Sequence, residues 1–236
     1  MYLGQTTQPV VALPPPLLAL QDDAPATRLV TGRHAERLEL ERYIHDRFAR
    51  EYGADINKYM PYLIQYGSAL ERYAAVGFRS AGEARLFLET YLSQPVEAEL
   101  ARIADLTVSR SKIVEVGNLA ATRPGASAPL FGALACFLDQ LGFEWVVICA
   151  TPTVQNVFSK LQIPLLRLAD ASREALPADQ QALWGSYYQC KPQVMAVHVR
   201  TAHRCIRDSM LGRRLLGNLQ QSIDVMVDDW RLQHAG

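Results

Sequence analysis

The sequence predicts an α/β (α+β) fold: a mixed, mostly antiparallel central sheet flanked by helices, with one parallel crossover near the middle. Three observations carry this. Short β-prone runs alternate with amphipathic helical runs along the chain, the order of a mixed layered domain. Lys112 to Leu141 reads as strand, turn, helix. Phe143 to Ala150 follows as an almost continuously apolar run, which suits a central strand covered on both faces.

Residues 1–27 are rich in Pro, Gln and Ala and read as a loose arm, with Val10 to Leu20 on the domain surface. Leu29 to Thr31 is a short first strand. Ala35 to Tyr52 is a helix with Leu40, Tyr43, Ile44, Phe48 and Tyr52 on one stripe, stopped by Gly53. His45 sits among charged neighbours and reads as solvated. Pro61 to Tyr66 and Arg72 to Arg79 are two strands joined at Gly67-Ser68. Arg85 to Leu92 is a short apolar segment with one carboxylate, Glu89. Pro95 to Leu106 reads as a helix.

In the central unit, Ile113, Val114 and Val116 supply the β-branched run and Gly117 interrupts it, as at a bulge or a close approach. Thr122 to Ser127 is turn chemistry, with Ser127 placed to cap the helix and Pro129 in its first turn. Leu130, Leu134, Phe137, Leu138 and Leu141 repeat at helical spacing up to Gly142. Such a unit sets free backbone N–H groups and a helix N-terminus beside an interrupted strand, a place for an anionic or carbonyl-bearing ligand. An ordinary ligand-free β-α unit fits the same pattern. Thr151-Pro152 starts a helix, Ile163 to Leu168 reads as a strand, and Gln193 to Thr201 as the last one. Arg204 to Leu232 is helical with breaks at Gly212 and Gly217.

Apolar residues make up 49% of 236, so the chain is globular and long enough for a proper core. Lys+Arg and Asp+Glu both total 24, which gives no support for nucleic-acid binding or general membrane adhesion and leaves only local patches. Cys136, Cys149, Cys190 and Cys205 are scattered and form no C-x-x-C pair, which reads as a reducing compartment without a disulfide frame. No window reaches the ~20 apolar residues of a membrane span, and the N-terminus lacks the basic start of a signal peptide. A cytoplasmic location is expected.

No metal site is expected, because the histidines lack cysteine or carboxylate neighbours at metal spacing. There is no G-x-S-x-G, Walker A or dinucleotide fingerprint. Carboxylates, tyrosines and arginines remain. Glu115 lies in an apolar strand. It pairs with a base such as Arg79, or has a raised pKa and accepts a proton, or alternates onto a solvent face. Trp184, Tyr187 and Tyr188 either line a pocket, with a phenol as proton donor, or plug the end of the sheet. Arg123 either meets an anion or is a solvated turn residue. Gly117 either receives a ligand or leaves a packing gap, with Trp145 as its filler.

Several blocks together resemble a known bacterial family, the thermostable haemolysins: Met60-Pro61, A-A-V-G-F-R-S-A ending at Ala81, Leu86 to Leu92, I-V-E-V-G-N-L-A from Ile113, and W-G-S-Y-Y from Trp184. The resemblance spans Leu38 to Val199. The layout is similar to the GNAT acyltransferase superfamily, and within it to acyl-homoserine-lactone synthases and N-acyl amino acid synthases. Val76 to Arg79 resembles their G-x-x-R-L strand, and Glu115 to Asn118 their E-x-S-R element. Gly125 to Gly142 falls where GNAT proteins place the helix after the donor-binding strand.

The resemblance implies a GNAT-like domain over residues 28–203 with a helical extension over 204–236. It implies N-acyl transfer to a small amine such as an amino acid, with Glu115 as base and Tyr187 or Tyr188 as acid. Val116, Gly117, Asn118, Leu119, Ala120, Arg123, Gly125 and Ser127 would bind the donor. Arg79, Phe87, Glu89, Trp145 and Trp184 would line the acceptor and acyl pocket. No bound cofactor is implied. The co-substrate would be acyl carrier protein, through its 4′-phosphopantetheine thioester, or acyl-coenzyme A. Asn118 stands where the lactone synthases carry Arg, which departs from homoserine-lactone synthesis. The turn R-P-G-A-S-A does not match the GNAT pyrophosphate motif Q/R-x-x-G-x-G/A, which favours the carrier protein. A monomer or homodimer is expected. The family name points to a second class, a membrane-active lytic protein, and a GNAT-shaped binding protein without turnover is the third.

Overall fold

The computed structural model describes residues 24–105 and 107–234. Most of the expected arm, and Leu106 at the end of an expected helix, lie outside the described residues. The elements run β1 (Ala26–Val30), α1 (Arg37–Tyr52), β2 (Tyr62–Gly67), β3 (Arg72–Ser80), a 3-10 turn at Phe87–Tyr91, α2 (Val96–Ala104), β4 (Ile113–Ala121), α3 (Ser127–Gln140), β5 (Trp145–Ala150), α4 (Pro152–Lys160), β6 (Leu166–Asp170), α5 (Ala178–Gln181), β7 (Gln193–His198), α6 (Val199–Asp208), α7 (Met210–Gly217) and α8 (Gln220–Gln233). The strands form one sheet in the order β1-β2-β3-β4-β5-β7-β6. Among the described residues only β4 and β5 pair in parallel; their connection through α3 is the expected crossover.

Strand alternation sorts the side chains to two faces. Val114, Val116, Val146 and Ile148 pack with α3, α6 and α8 in one cluster that includes Leu130, Phe137, Ile206 and Trp230. Fully buried side chains such as Phe78 and Phe137 contribute ~1.5–3 kcal/mol each through their burial. The other face carries two clusters. Leu40, Ile44 and Phe48 of α1 cover Leu63, Ala75 and Ala120. The 3-10 turn and α2 cover Ile113, Trp145 and Val147. Cys149 and Tyr188 pack against both, so they mark the seam between them.

Some boundaries differ from the sequence reading. β1 starts at Ala26, because Ala26 and Thr27 pair with Gly67 and Tyr66 and the Thr27 N–H donates to Ser222 Oγ at 3.1 Å. β6 starts at Leu166 because Gln162 takes a left-handed turn (φ 57°) and the Ile163 N–H donates back to the Phe158 carbonyl of α4. β7 stops at His198, whose ring nitrogen accepts the Thr201 N–H and caps α6. Ser127 is not a cap: Ala126 holds that position and no side chain caps α3. Gly212 does not break a helix. It lies inside α7, where a Cβ would stand 1.9 Å from the Ile206 carbonyl oxygen.

Candidate functional site

The site begins with an irregularity in β4. Ala75 faces Ala120 and Gly77 faces Gly117, so Val76 alone opposes Asn118 and Leu119, a bulge. Asn118 carries the turn at φ 50°, a conformation Asn tolerates better than most residues. The bulge is therefore one residue beyond the Gly117 expected from sequence. Asn118 Oδ1 accepts the Met60 N–H at 2.8 Å, and Nδ2 donates to the Lys58 carbonyl at 3.4 Å. Gly117 has another role. A Cβ there would stand 2.8 Å from Met60 Cε. Its neighbour is thus Met60 and not Trp145, which pairs with Ile113 and turns its ring to His198.

The parallel pairing of β4 and β5 ends at Val116 and Ile148. From Gly117 to Ala121, β4 runs on without β5 as a partner, and β5 ends at Ala150. Val116 and Ile148 also line a small apolar cavity of about 30 Å³ on the α3 face, with Phe131, Leu134, Phe158 and Val197.

Glu115 lies on the opposite face and is 1% exposed, so the solvent-face alternative does not hold. Its carboxylate accepts the N–H groups of Phe87 and Leu88, each at 3.0 Å, and lies 3.5 Å from Arg79 Nε. Burial pushes its pKa up, against the downward pull of the two N–H donors and Arg79. Pairing and a raised pKa therefore coexist. Arg79 Nε also points at Met60 Sδ, 3.1 Å away.

Across the seam lies W-G-S-Y-Y. Its backbone is tied to the end of α1: the Ser186 N–H donates to the Tyr52 carbonyl and the Asp55 N–H to the Leu183 carbonyl. Gly185 (φ 49°) allows this close contact, since a Cβ would meet Tyr52 O at 2.1 Å. Trp184 stacks on Phe87 and also meets Tyr187 and Tyr188. Tyr188 shares a hydrogen bond with Tyr91 through their hydroxyls. Tyr187 donates to the Cys149 carbonyl at 3.3 Å. Burial raises both the Tyr187 and Tyr188 phenols, and pushes the Cys149 thiol up to about 12, so it stays protonated. The Tyr188 ring lies at the seam, and Trp184 reaches the turn that holds Glu115 through the Phe87 ring.

Other nominated residues stand apart. Glu89 accepts the Leu86 and Val96 N–H groups and pairs with Arg110, which also holds Glu97. Its oxygens are committed to the 3-10 turn rather than to a pocket at Glu115. Arg123 pairs with Glu71 and lies 3.9 Å over the Tyr73 ring. Gly125 (φ 82°) makes the turn into α3, with Ser127 one residue past the cap. Among the described residues no cluster of His, Cys, Asp and Glu is arranged to hold a metal. Sequence reasoning missed Tyr91 and Met60. Both lie inside blocks that carried the family resemblance, and that was the available signal.

The sheet order, the single parallel pair and the bulge beside its open end define a GNAT-like fold. Solved structures agree. The acyl-homoserine-lactone synthase LasI aligns with a TM-score of 0.52 at 10% identity, over 75% of this chain and 91% of that one. FeeM, an N-acyl amino acid synthase from uncultured soil microbes, gives 0.52 at 14%, over 80% and 97%. The coenzyme A-dependent acyl-homoserine-lactone synthase BjaI, with SAM and isopentyl-CoA, gives 0.51 at 14%, over 81% and 89%. At these identities the likeness is one of fold. No curated protein matches the chain. Residues 30–203 match the family described as thermostable hemolysin, and the chain belongs to that family.

Proposed function

We propose that the protein is an N-acyltransferase that moves a fatty acyl group from a carrier thioester to a small amine. One observation carries this: the pairing of β4 and β5 ends at Val116 and Ile148, with buried Glu115 on one face and an apolar cavity on the other. A pantetheine arm presents amides that pair with an unpaired strand edge, as an added strand does. The acyl chain then passes between the strand ends towards the α3 face, where the cavity of about 30 Å³ is too small for it until α3 shifts from the sheet. The Glu115 carboxylate, its pKa raised by burial, takes the proton from the attacking amine. A backbone N–H near the bulge polarises the thioester carbonyl.

Of the two nominated tyrosines, Tyr188 suits the departing thiolate better. Its hydroxyl is relayed to Tyr91, whereas Tyr187 is held by the Cys149 carbonyl. Trp184 and Phe87 must part to admit the amine. The exposed Arg123 pairs with Glu71, and the turn does not match the GNAT pyrophosphate motif, which favours acyl carrier protein over coenzyme A. The synthases of like fold support the reaction class.

The test is thiol release and product mass with acyl carrier protein or acyl-coenzyme A thioesters and a mixture of amino acids. Release that requires the amine is expected; none with any thioester overturns the reading. The family description favours a second reading, direct lysis, although no described helix is long and apolar enough to cross a membrane. Dye leakage from liposomes without any acyl donor would establish lysis instead.

A further inference from the structure

We propose that the start of α7 and its arginine flanks form the docking surface for an acidic carrier protein that delivers the acyl group; this rests on the acyltransferase reading above. The chain is neutral overall, with 24 basic and 24 acidic residues. Its charge is unevenly placed. Arg200, Arg204, Arg207, Arg213 and Arg214 lie between Val199 and Gly217 with one acid, Asp208, and all five are exposed. Arg207 pairs with Asp208 at 3.5 Å. Among the described residues the other four have no carboxylate within ion-pair reach.

At the centre of this group stand Met210 and Leu211, 82% and 52% exposed. They are not loose. The Ser209 hydroxyl accepts the Gly212 N–H at 2.8 Å and caps α7. The missing side chain of Gly212 lets the Ile206 carbonyl of α6 approach, which pins the two helices together. The buried residues of α7, Gly212 and Leu216, are on its inner side. Met210 and Leu211 are thus held outward on a rigid support, an apolar centre in a cationic ring. That chemistry fits an acidic helical surface with an apolar ridge, where charge steers the encounter and the apolar pair gives it a seat.

Placement favours a carrier protein over an anionic bilayer. Leu216 Cδ2 lies 3.6 Å from where a Gly132 Cβ would be. Gly132 is five residues into α3, about 8 Å along the helix at 1.5 Å per residue, and a short turn joins α3 to the open edge of β4, which ends at Ala121. The patch therefore sits on the helix that borders the thioester slot. A carrier must dock within reach of its own arm; a bilayer has no such constraint.

Two variants test this: Arg204→Glu with Arg214→Glu, which spares the Arg213 bond to the Asp208 carbonyl, and Met210→Ser with Leu211→Ser. Holo acyl carrier protein is titrated onto wild type and each variant, and turnover is measured with acyl carrier protein and with free acyl-pantetheine, which needs no docking. Expected is at least a tenfold loss of carrier affinity and of carrier-dependent kcat/KM in both variants. Unfolding temperature and acyl-pantetheine turnover should stay within error and within twofold. Carrier binding within twofold of wild type, or an equal loss with both donors, overturns the surface. If no thioester is turned over, the acyltransferase reading fails, while carrier binding lost in the variants still supports docking. Sedimentation with phosphatidylglycerol vesicles that is lost in the variants, without carrier binding, overturns the proposal in favour of a membrane contact.

Discussion

The Asn118 side-chain oxygen accepts the Met60 backbone N–H at 2.8 Å, from a backbone held at φ 50°. One residue thus makes the bulge in β4 and ties the loop before β2 to it. These two tasks separate on substitution. Asn118→Gly keeps the backbone conformation and loses both side-chain hydrogen bonds, the short one from Met60 and the long, exposed one to Lys58, for ~1–2 kcal/mol. Asn118→Ala loses the same bonds and adds the left-handed penalty of ~1–2 kcal/mol. Urea unfolding should rank wild type above Gly and Gly above Ala. Equal Gly and Ala stabilities would show that the bonds alone matter.

Glu115 holds the 3-10 turn through Phe87 and Leu88, and a glutamine cannot accept both N–H groups in the same way. Glu115→Gln should therefore loosen that turn as well as lower acyl transfer by about 10²-fold. Stability against pH adds a second readout. Burial raises the folded pKa of Glu115 above its unfolded value of 4.5. The native state then holds the proton longer than the unfolded chain, so wild-type stability declines as pH rises from 4.5 through the folded pKa. The glutamine variant should lack this decline. Transfer within twofold of wild type would leave Glu115 only its role beneath the turn.

Glu89 shows the opposite sign. The Arg110 guanidinium, with the Val96 and Leu86 N–H groups, holds its carboxyl at about 2. Its stabilisation is complete above pH 4.5 and is lost as pH falls towards 2, up to ~3 kcal/mol. Thermal unfolding of Glu89→Gln should lack that acid limb. Arg110→Ala should be worse, by ~3 kcal/mol, because it leaves the buried carboxylate without its counter-ion and with only the Leu86 and Val96 N–H groups. If Arg110→Ala unfolds like wild type at pH 7, the pair is not what holds the turn.

Much of the frame was legible because side-chain periodicity wrote it. The β-branched run Ile113, Val114 and Val116 and the Leu/Phe stripe of α3 identified the central unit, and Glu115 stood out as a carboxylate among apolar residues. Arg79 was its nominated partner, and the two are opposite each other in the β3–β4 register. What stayed hidden has no side-chain signal. The Phe87 and Leu88 N–H groups are backbone donors, the latter 27 residues from Glu115. The place of β6 outside β7 follows from how the chain crosses the sheet, not from its own pattern. The bulge was assigned to Gly117 because glycine is its usual sign, whereas Asn118 adopts the positive φ.

Gly117 and its cross-strand partner Gly77 then make a graded prediction. Both leave room for Met60, but they meet different parts of it. A Cβ at Gly117 would stand 2.8 Å from Met60 Cε, the free end of a flexible chain. A Cβ at Gly77 would stand 2.7 Å from Met60 Cβ and 2.9 Å from Leu63 Cδ2. Met60 Cβ cannot move without its backbone, and that backbone is bonded to Asn118. Gly117→Ala should therefore cost under ~1 kcal/mol, and Gly77→Ala ~1–3 kcal/mol by overpacking. Met60→Ala removes Cε but keeps Cβ, so in double-mutant cycles it should relieve Gly117→Ala and leave most of the Gly77→Ala cost in place. The consequence reaches the site, because Met60 Sδ lies 3.1 Å from Arg79 Nε, which faces Glu115. A Met60 pushed aside by Gly77→Ala should thus disturb Arg79 and lower transfer even in the folded fraction. Gly117→Ala, which only turns the methionine tip, should lower it less. Denaturant unfolding and acyl-transfer assays on wild type, the single variants and the double variants decide it. Equal costs at Gly77 and Gly117 would show that the methionine seat is not what these glycines provide.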